Sequence, residues 1–316
     1  MKKRSWIVGV LSACLLLVGC SEEESTTIGI TQLAEHPSLD AATEGFKQAF
    51  TDAKMEVTFD EKIAQGDQSN SMLIASNFVA DKVDLIFANS TPSALTAYNA
   101  TKDIPILFTA VSDPVGAQLV NEDGFGTNIS GTTDLHPEAI SKTVEFIDTY
   151  FPQSTVGLIY NAGEQNSVMQ IDLVNEAVKG TTLSTVETTV ATTADVKQAA
   201  DSLVGRVDVF YIVTDNTVVS GLSPVVEISQ TQKIPLFVGE LDSVNAGGFA
   251  AFGFNYFDIG YQTGEMAISV LNGDKKISEL AVQYPNELTL VINKGASEKM
   301  GIEWNKEWET LGDIIE

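Results

Sequence analysis

Arginine, cysteine and histidine are nearly missing from this 316-residue chain. The arginines are Arg4 and Arg206, and the cysteines, Cys14 and Cys20, both fall within the first twenty positions. Beyond residue 20 there is no thiol, which excludes an internal disulfide and a cysteine nucleophile. Two histidines, His36 and His136, each precede a proline in extended or turn-like settings. That supply cannot assemble a zinc cluster or a Cys-His pair. G-x-S-x-G, G-x-x-x-x-G-K-[ST] and G-x-G-x-x-G are all absent, and Gly124-Phe125-Gly126 lacks the helix and third glycine of a dinucleotide site. No catalytic residue, metal or cofactor is therefore expected. Basic residues are also scarce: 18 Lys and Arg stand against 43 Asp and Glu, a net charge of −25. Phosphate backbones need clustered cations, so nucleic acid is excluded as a partner and the acidity reads as a solvated surface. A phosphate or dicarboxylate pocket commonly uses bidentate guanidinium. Without it, a ligand should carry at most one carboxylate, met by neutral donors and helix N-termini.

What is present begins with Lys2, Lys3 and Arg4, then an apolar run from Trp6 to Leu17 and the quartet Leu17-Val18-Gly19-Cys20. This order of charged, apolar and small residues is a secretory signal layout, too short to span a bilayer with ease. The quartet resembles the lipobox of bacterial lipoproteins. The resemblance implies a signal peptide over 1–19, lipidation at Cys20 and a polar tether over 20–25, mooring the protein to the outer face of the cell membrane. Removing residues 1–19 from 316 leaves 297, and losing Lys2, Lys3 and Arg4 takes the charge to about −28. No second long apolar run follows.

Short β-branched runs alternate with amphipathic stretches. Strands are expected at 26–31, 55–60, 83–88, 104–110, 155–160, 184–190, 207–214, 234–239, 249–254 and 287–292. Helices are expected at 38–53, 68–81, 92–101, 137–150, 165–179, 195–204, 217–231 and 257–272. This rhythm predicts an α/β protein with doubly wound parallel sheets. The chain also repeats itself. Val83-Asp84-Leu85-Ile86-Phe87 and Ile104-Pro105-Ile106-Leu107-Phe108 return as Val207-Asp208-Val209-Phe210-Tyr211 and Ile234-Pro235-Leu236-Phe237-Val238, at offsets of 124 and 130 residues. Two lobes of similar topology are the simplest account. Ligands sit outside the carboxyl ends of such strands, so two facing lobes make a cleft that a hinge can close.

The residues after each strand are thus the ones to inspect. Thr91-Pro92 and Asp113-Pro114 read as cap-then-proline helix starts, and Asp215 before Asn216-Thr217 reads as a cap. Gln32 offers both a donor and acceptors just past the first strand. Glu164, Asp215 and Glu240 could meet an ammonium. Tyr160 closes an apolar strand and either packs in the core or stacks on a ligand.

In order along the chain, Ile28-Gly29-Ile30-Thr31-Gln32, His36-Pro37-Ser38-Leu39-Asp40, Gly45-Phe46, Gln65-Gly66-Asp67-Gln68-Ser69, Ser90-Thr91-Pro92, Ser112-Asp113-Pro114, Asp215-Asn216-Thr217, Gly247-Gly248 and Asp258-Ile259-Gly260 resemble the tryptophan/tyrosine-type substrate-binding lipoproteins of ABC transporters. The resemblance implies a type I periplasmic-binding fold whose crossovers lie near 132–136, 253–257 and 282–286. The first lobe would span 26–134 plus 256–283 and the second 135–255 plus 284–316. It implies a monomeric, extracytoplasmic receptor that closes on an amino acid-like solute, an aromatic amino acid foremost, and hands it to a permease and ATPase encoded elsewhere. Gln32, Ser90, Thr91 and Asp113 would line the cleft from one lobe; Tyr160, Asn161, Glu164, Asn166, Ser167, Asp215, Asn216, Glu240 and Asn255 complete the expected set. Asp215 would take the ammonium, and the helix starts at Thr91 and Asn166-Ser167 the carboxylate. Gly239-Glu240-Leu241 and Asn255-Tyr256 depart from the pattern of tryptophan binders. A nucleoside, a sugar or another neutral solute is the alternative ligand class, and a surface sensor without a transporter the alternative role.

Overall fold

The structure, a computed structural model, describes residues 25–316. The expected signal peptide, the expected lipidation site Cys20 and nearly all of the expected tether lie outside the described residues.

The chain opens with β1 (Thr27–Gln32), α1 (Pro37–Ala53), β2 (Thr58–Ile63), α2 (Gln68–Asp81), β3 (Leu85–Asn89), α3 (Thr91–Ala100), β4 (Ile106–Thr109) and β5 (Ile129–Gly131). These strands form a parallel sheet in the order β2-β1-β3-β4-β5. Next come α4 (Ala139–Tyr150), β6 (Thr155–Asn161), α5 (Gln165–Val178), β7 (Ser184–Val190), α6 (Val196–Leu203), β8 (Val209–Ile212), α7 (Asn216–Ser220), α8 (Leu222–Gln232), β9 (Leu236–Val238), α9 (Leu241–Asn245) and β10 (Ala250–Gly253). The chain then runs through α10 (Tyr256–Leu271), β11 (Thr289–Asn293), α11 (Lys294–Met300) and β12 (Asp313–Ile315). The second sheet has the order β12-β11-β10-β9-β8-β6-β7. Its run β7-β6-β8-β9-β10 repeats the order of the first sheet, so the duplication read from the sequence is a duplication of topology. The two extra strands run against the rest, because β11 pairs antiparallel with β10 and β12 parallel with β11.

Burial explains which runs became inner strands. Every residue of β3 and β4 is buried, as expected for parallel strands covered on both faces. Edge strands β2 and β7 instead carry exposed charged and threonine side chains. In the first lobe Phe46 stacks on Phe87 at 3.9 Å, with Phe50 and Phe59 edge-on around them. In the second, Phe146, Phe237, Phe249 and Trp308 form a similar aromatic core.

Helix α10 returns to the first lobe and lies along α1. The approach is closer than any side chain permits: a Cβ on Gly260 would stand 1.9 Å from the Ala42 carbonyl oxygen, and one on Gly45 2.0 Å from that of Phe257. Three connections join the lobes, after β5, between β10 and α10, and before β11. Two of them run side by side: Thr132 bridges Gln283, and the Thr133 N–H donates to the Gln283 carbonyl at 2.9 Å.

Some expectations shift. The strand expected at 55–60 forms at 58–63, because α1 ends on Lys54 in a left-handed conformation and Met55 to Val57 are spent leading into the strand. The helix expected at 217–231 breaks at Gly221 into α7 and α8. Asp113-Pro114 starts no helix; the Asp113 carboxylate accepts from the Gly116 N–H at 2.8 Å and the chain turns. The short elements β5, α9, α11 and β12 were not anticipated, since three to seven residues show no readable period. Among the described residues, no helix is long and apolar enough to cross a membrane.

Candidate functional site

The carboxyl ends of β1, β3 and β4 face those of β6, β8 and β9 across the gap between the lobes. In the first lobe Gln32 is buried and fully occupied. Its Nε2 donates to the Ala34 carbonyl (2.8 Å) and Asp40 Oδ1 (2.7 Å), and its Oε1 accepts from Thr43 Oγ1 (2.9 Å) and Asn89 Nδ2 (3.2 Å). It ties β1 to α1 and β3 and leaves no hydrogen-bonding position for a solute, which corrects its expected role. Next to it, Asn89 Oδ1 and Thr91 Oγ1 are buried without a partner. Ser90, between them, has φ 106 and ψ 159, a conformation otherwise reserved for glycine, and caps α3 by accepting from the Ser93 N–H at 3.4 Å. The free Thr91 hydroxyl therefore stands at the first residue of α3, where orphan N–H groups also gather.

The second lobe contributes two buried acids wrapped around the start of α7. Asp215 accepts from the Val218 N–H (2.8 Å) and the Asn161 N–H (2.6 Å). Glu164 accepts from the N–H groups of Asn216 (3.2 Å) and Thr217 (3.0 Å) and from Asn216 Nδ2 (2.6 Å) and Thr217 Oγ1 (2.7 Å). Both acids thus saturate a helix N-terminus, a favourable place for negative charge. Burial and the neighbouring Glu164 push the Asp215 carboxyl upward. Asn166 donates to the Thr214 carbonyl at 3.0 Å, but its Oδ1 is buried and unpartnered. Ser167 is fully buried beside it, and the Asn161 side chain donates to Thr217 Oγ1 at 2.9 Å.

Two expected residues lie elsewhere. The Tyr160 hydroxyl donates to Glu187 on neighbouring β7 at 2.9 Å, in a partly exposed patch. Asn255 is exposed and caps α10 by accepting from the Phe257 N–H at 2.9 Å, on the hinge side. Asp113 stays in its own turn.

Two expected residues, Asn216 and Glu240, and several that the expected set did not include hold the lobes together. His36 Nε2 lies 3.5 Å from Asn216 Oδ1 across the gap. Gln170 of α5 donates to Ser112 Oγ at 3.1 Å; Ser112 donates to Asp134 Oδ1 at 2.7 Å; the Tyr256 hydroxyl donates to Asp134 Oδ2 at 3.0 Å. Ser38 Oγ lies 2.5 Å from Glu240 Oε2 and 3.0 Å from Asp242 Oδ2. Burial raises Asp134 to about 6 and Glu240 to about 7, and it lowers His36. The partners of Ser38 and Ser112 stand some 200 and 22 residues away in sequence, so no local pattern announces them. For Asp134 one signal existed: an acid within the expected crossover 132–136.

Beside this sealed centre, a cleft of about 1050 Å³ opens between Leu33, Gly66, Asp67, Gln68 and Pro92 of one lobe and Asn161, Glu164, Thr188, Thr192 and Thr217 of the other. Among the described residues, none that lines it is lysine or arginine. The site can thus receive a cation or a zwitterion and offers dipoles rather than charge to an anion. Among the described residues, no cluster of His, Cys, Asp and Glu could hold a metal ion.

Comparison with known proteins agrees with this arrangement. A family model described as ABC transporter substrate binding protein matches residues 27–311. The chain is 41% identical to a protein named tyrosine-binding protein from Clostridioides difficile, over 91% of this chain and 88% of that protein. It is similar in structure to the ABC domain in complex with L-Trp from Streptococcus pneumonia (TM-score 0.87, 29% identity, 92% of this chain and 100% of that one). It is also similar to the ligand-free, open structure of a substrate binding protein with adhesive properties from Clostridium difficile (TM-score 0.66, 40% identity, 92% and 99%). The fit is better to the liganded relative than to the open one, although the open one is nearer in sequence. With the hydrogen bonds across the gap, this marks the described arrangement as closed. With its duplicated sheets, its three connections and a match running nearly end to end, the chain belongs to the ABC transporter substrate-binding protein family and has the type I periplasmic-binding fold.

Proposed function

We propose that the protein is an extracytoplasmic receptor of an ABC importer, moored by lipid at Cys20, that closes its lobes around one aromatic amino acid and releases it unchanged. The observation that carries this reading is a pair of buried, unpartnered polar atoms on opposite lobes, Thr91 Oγ1 and Asn166 Oδ1, in a centre rich in buried acids and without arginine. An unpaired buried polar atom is costly and calls for a partner. A zwitterion supplies both kinds. Its carboxylate would accept from the Thr91 hydroxyl and the N-terminal N–H groups of α3 and α5. Its ammonium would donate to Asn166 Oδ1, near Asp215 and Glu164. The aromatic side chain is inferred from the relatives, one named for tyrosine and one holding L-Trp. In this reading a permease and an ATPase encoded elsewhere are the partners, the lobes divide near 134, 255 and 283, and the protein acts as a monomer.

Thermal unfolding with a panel of amino acids tests the proposal. At a hundredfold excess over Kd, a true ligand stabilises by about 2.7 kcal/mol. L-tyrosine and L-tryptophan are expected to raise the melting temperature. No shift with any amino acid at hundreds of micromolar would reject the reading. Mass spectrometry of solute retained through purification would then identify a nucleoside, sugar or other neutral cargo.

A further inference from the structure

The contact between Ser38 and the second lobe contains more acceptors than a single hydroxyl can serve. Ser38, in the first turn of α1, brings one oxygen to 2.5 Å from Glu240 Oε2 and 3.0 Å from Asp242 Oδ2. A serine hydroxyl has one hydrogen. If both carboxyls are ionised, that hydrogen satisfies one of them and leaves the other facing a lone pair. If Glu240 is protonated, the geometry closes: Glu240 donates to Ser38 Oγ, and Ser38 donates to Asp242. Glu240 is the member that should hold the proton, because it is 2% exposed while Asp242 is half-buried.

The surroundings supply little other compensation: the Ser243 hydroxyl donates to Glu240 Oε2 at a long 3.4 Å, and no positive charge acts on the carboxyl. The groups around Glu240 are Ser38 on α1, Asp242 and Ser243 on α9, Asp134 in the first connection between the lobes, and Tyr256 on α10. Asp134 is a second acid, and Tyr256 donates to it rather than to Glu240. His36, two residues before Ser38, feels Asp242, and its burial favours the neutral ring. Burial raises Glu240 to about 7, in agreement with this geometry.

We propose that Glu240 is a positioning residue for solute capture: its protonated carboxyl bonds Ser38 across the gap and fastens α1 to α9, so that closing the lobes takes up one proton from solvent. The proton binds Glu240 Oε2 as the lobes meet and returns to water when they part. Glu240 then touches the opposite lobe and not the solute, which distinguishes it from the amino acid site proposed above, although closure around a solute rests on that reading.

Two measurements on the full chain test this. Titration calorimetry with L-tyrosine, run between pH 6 and 8.5 in buffers of different ionisation enthalpy, counts protons taken up on binding. The expected result is uptake of nearly one proton at pH 6 that fades toward none above pH 8, with Kd rising up to tenfold per pH unit at the lower end of that range and levelling off at the upper end. In Glu240→Gln, whose amide can donate to Ser38, the affinity should be kept and this share of the pH dependence lost. Ser38→Ala should weaken binding at pH 6 and flatten the profile too. Independently of any solute, the distance between dyes placed on the two lobes should shorten from pH 8 to pH 6 in the wild type and stay constant in Glu240→Gln. If wild type and Glu240→Gln respond to pH alike in both measurements, the proposal is overturned. If L-tyrosine gives no heat, the amino acid reading fails and the dye distance alone decides: a Glu240-dependent shortening upholds the latch, and its absence refutes it.

Discussion

At the scale of single residues, strain and unmet hydrogen bonds gather on the first lobe's side of the gap. Ser90 holds φ 106 and ψ 159 and gains in return a 3.4 Å cap and a 3.1 Å hydrogen bond from its hydroxyl to Ser93 Oγ. A backbone of this kind costs on the order of 1–3 kcal/mol, and replacing serine by glycine at a cap costs only a few tenths. Ser90→Gly is therefore expected to stabilise the unliganded protein by about 1 kcal/mol, measured as a higher urea midpoint at unchanged slope; an unchanged or lower midpoint contradicts the assignment of strain. The neighbouring hydroxyl of Thr91 is buried and unpaired. Thr91→Val keeps its shape, so unliganded stability should hold or rise while affinity for L-tyrosine falls about tenfold, near the 1–1.5 kcal/mol of an ordinary hydrogen bond. Calorimetry and melting on the same sample would show whether the two effects separate. Sequence reasoning pointed to Thr91, Asn166 and Asp215 because each follows a strand and stands at the start of a helix. It overvalued Gln32, whose four bonds go to its own lobe, and it missed Ser38, whose partners arrive only when distant segments fold together.

At the scale of elements, the long ones were legible and the short ones were not. Helices α1, α2 and α5 lie within a residue or so of their expected spans because amphipathic periods persist over 14 to 17 residues. The break between α7 and α8 falls at Gly221, where a Cβ would stand 2.8 Å from the Thr193 methyl group, a tertiary demand invisible in the linear pattern. The α1–α10 contact makes a sharper demand. A methyl group at Gly260 would meet the Ala42 carbonyl at 1.9 Å, and backbone cannot move aside as a side chain can. Gly260→Ala is expected to cost about 1–3 kcal/mol in chemical denaturation. Affinity should fall as well, because α1 carries His36 and Ser38 at its leading end; a variant with normal stability would mean that the helices can part freely.

At the scale of the whole molecule, charge sets the response to pH and salt. Asp134, Glu240 and Asp215 all titrate above the ordinary carboxylate range in the folded state, the first two near 6 and 7. In the unfolded chain they titrate near 4. Between those limits the folded protein binds more protons, so their contribution is complete below about pH 4 and is lost as pH rises through 6 to 7. The net charge of −25 adds self-repulsion that grows in the same direction and is relieved by salt. Urea midpoints should therefore fall from pH 5.5 to 8 and recover in part with added potassium chloride; a midpoint that rises over that range would contradict the burial of these acids. The duplication was legible at this scale because matching strands share a local pattern, whereas β11 and β12, which run antiparallel to the rest of their sheet, have no counterpart in the first half.

The paired connections at Thr132 and Gln283, with the third beside them, have a consequence for traffic. Three chains bound along one margin permit rotation about that margin and resist sliding or twisting. In the proposed reading the molecule opens like an oyster, so a solute has one doorway, opposite the margin, and entry and exit share the same path in reverse.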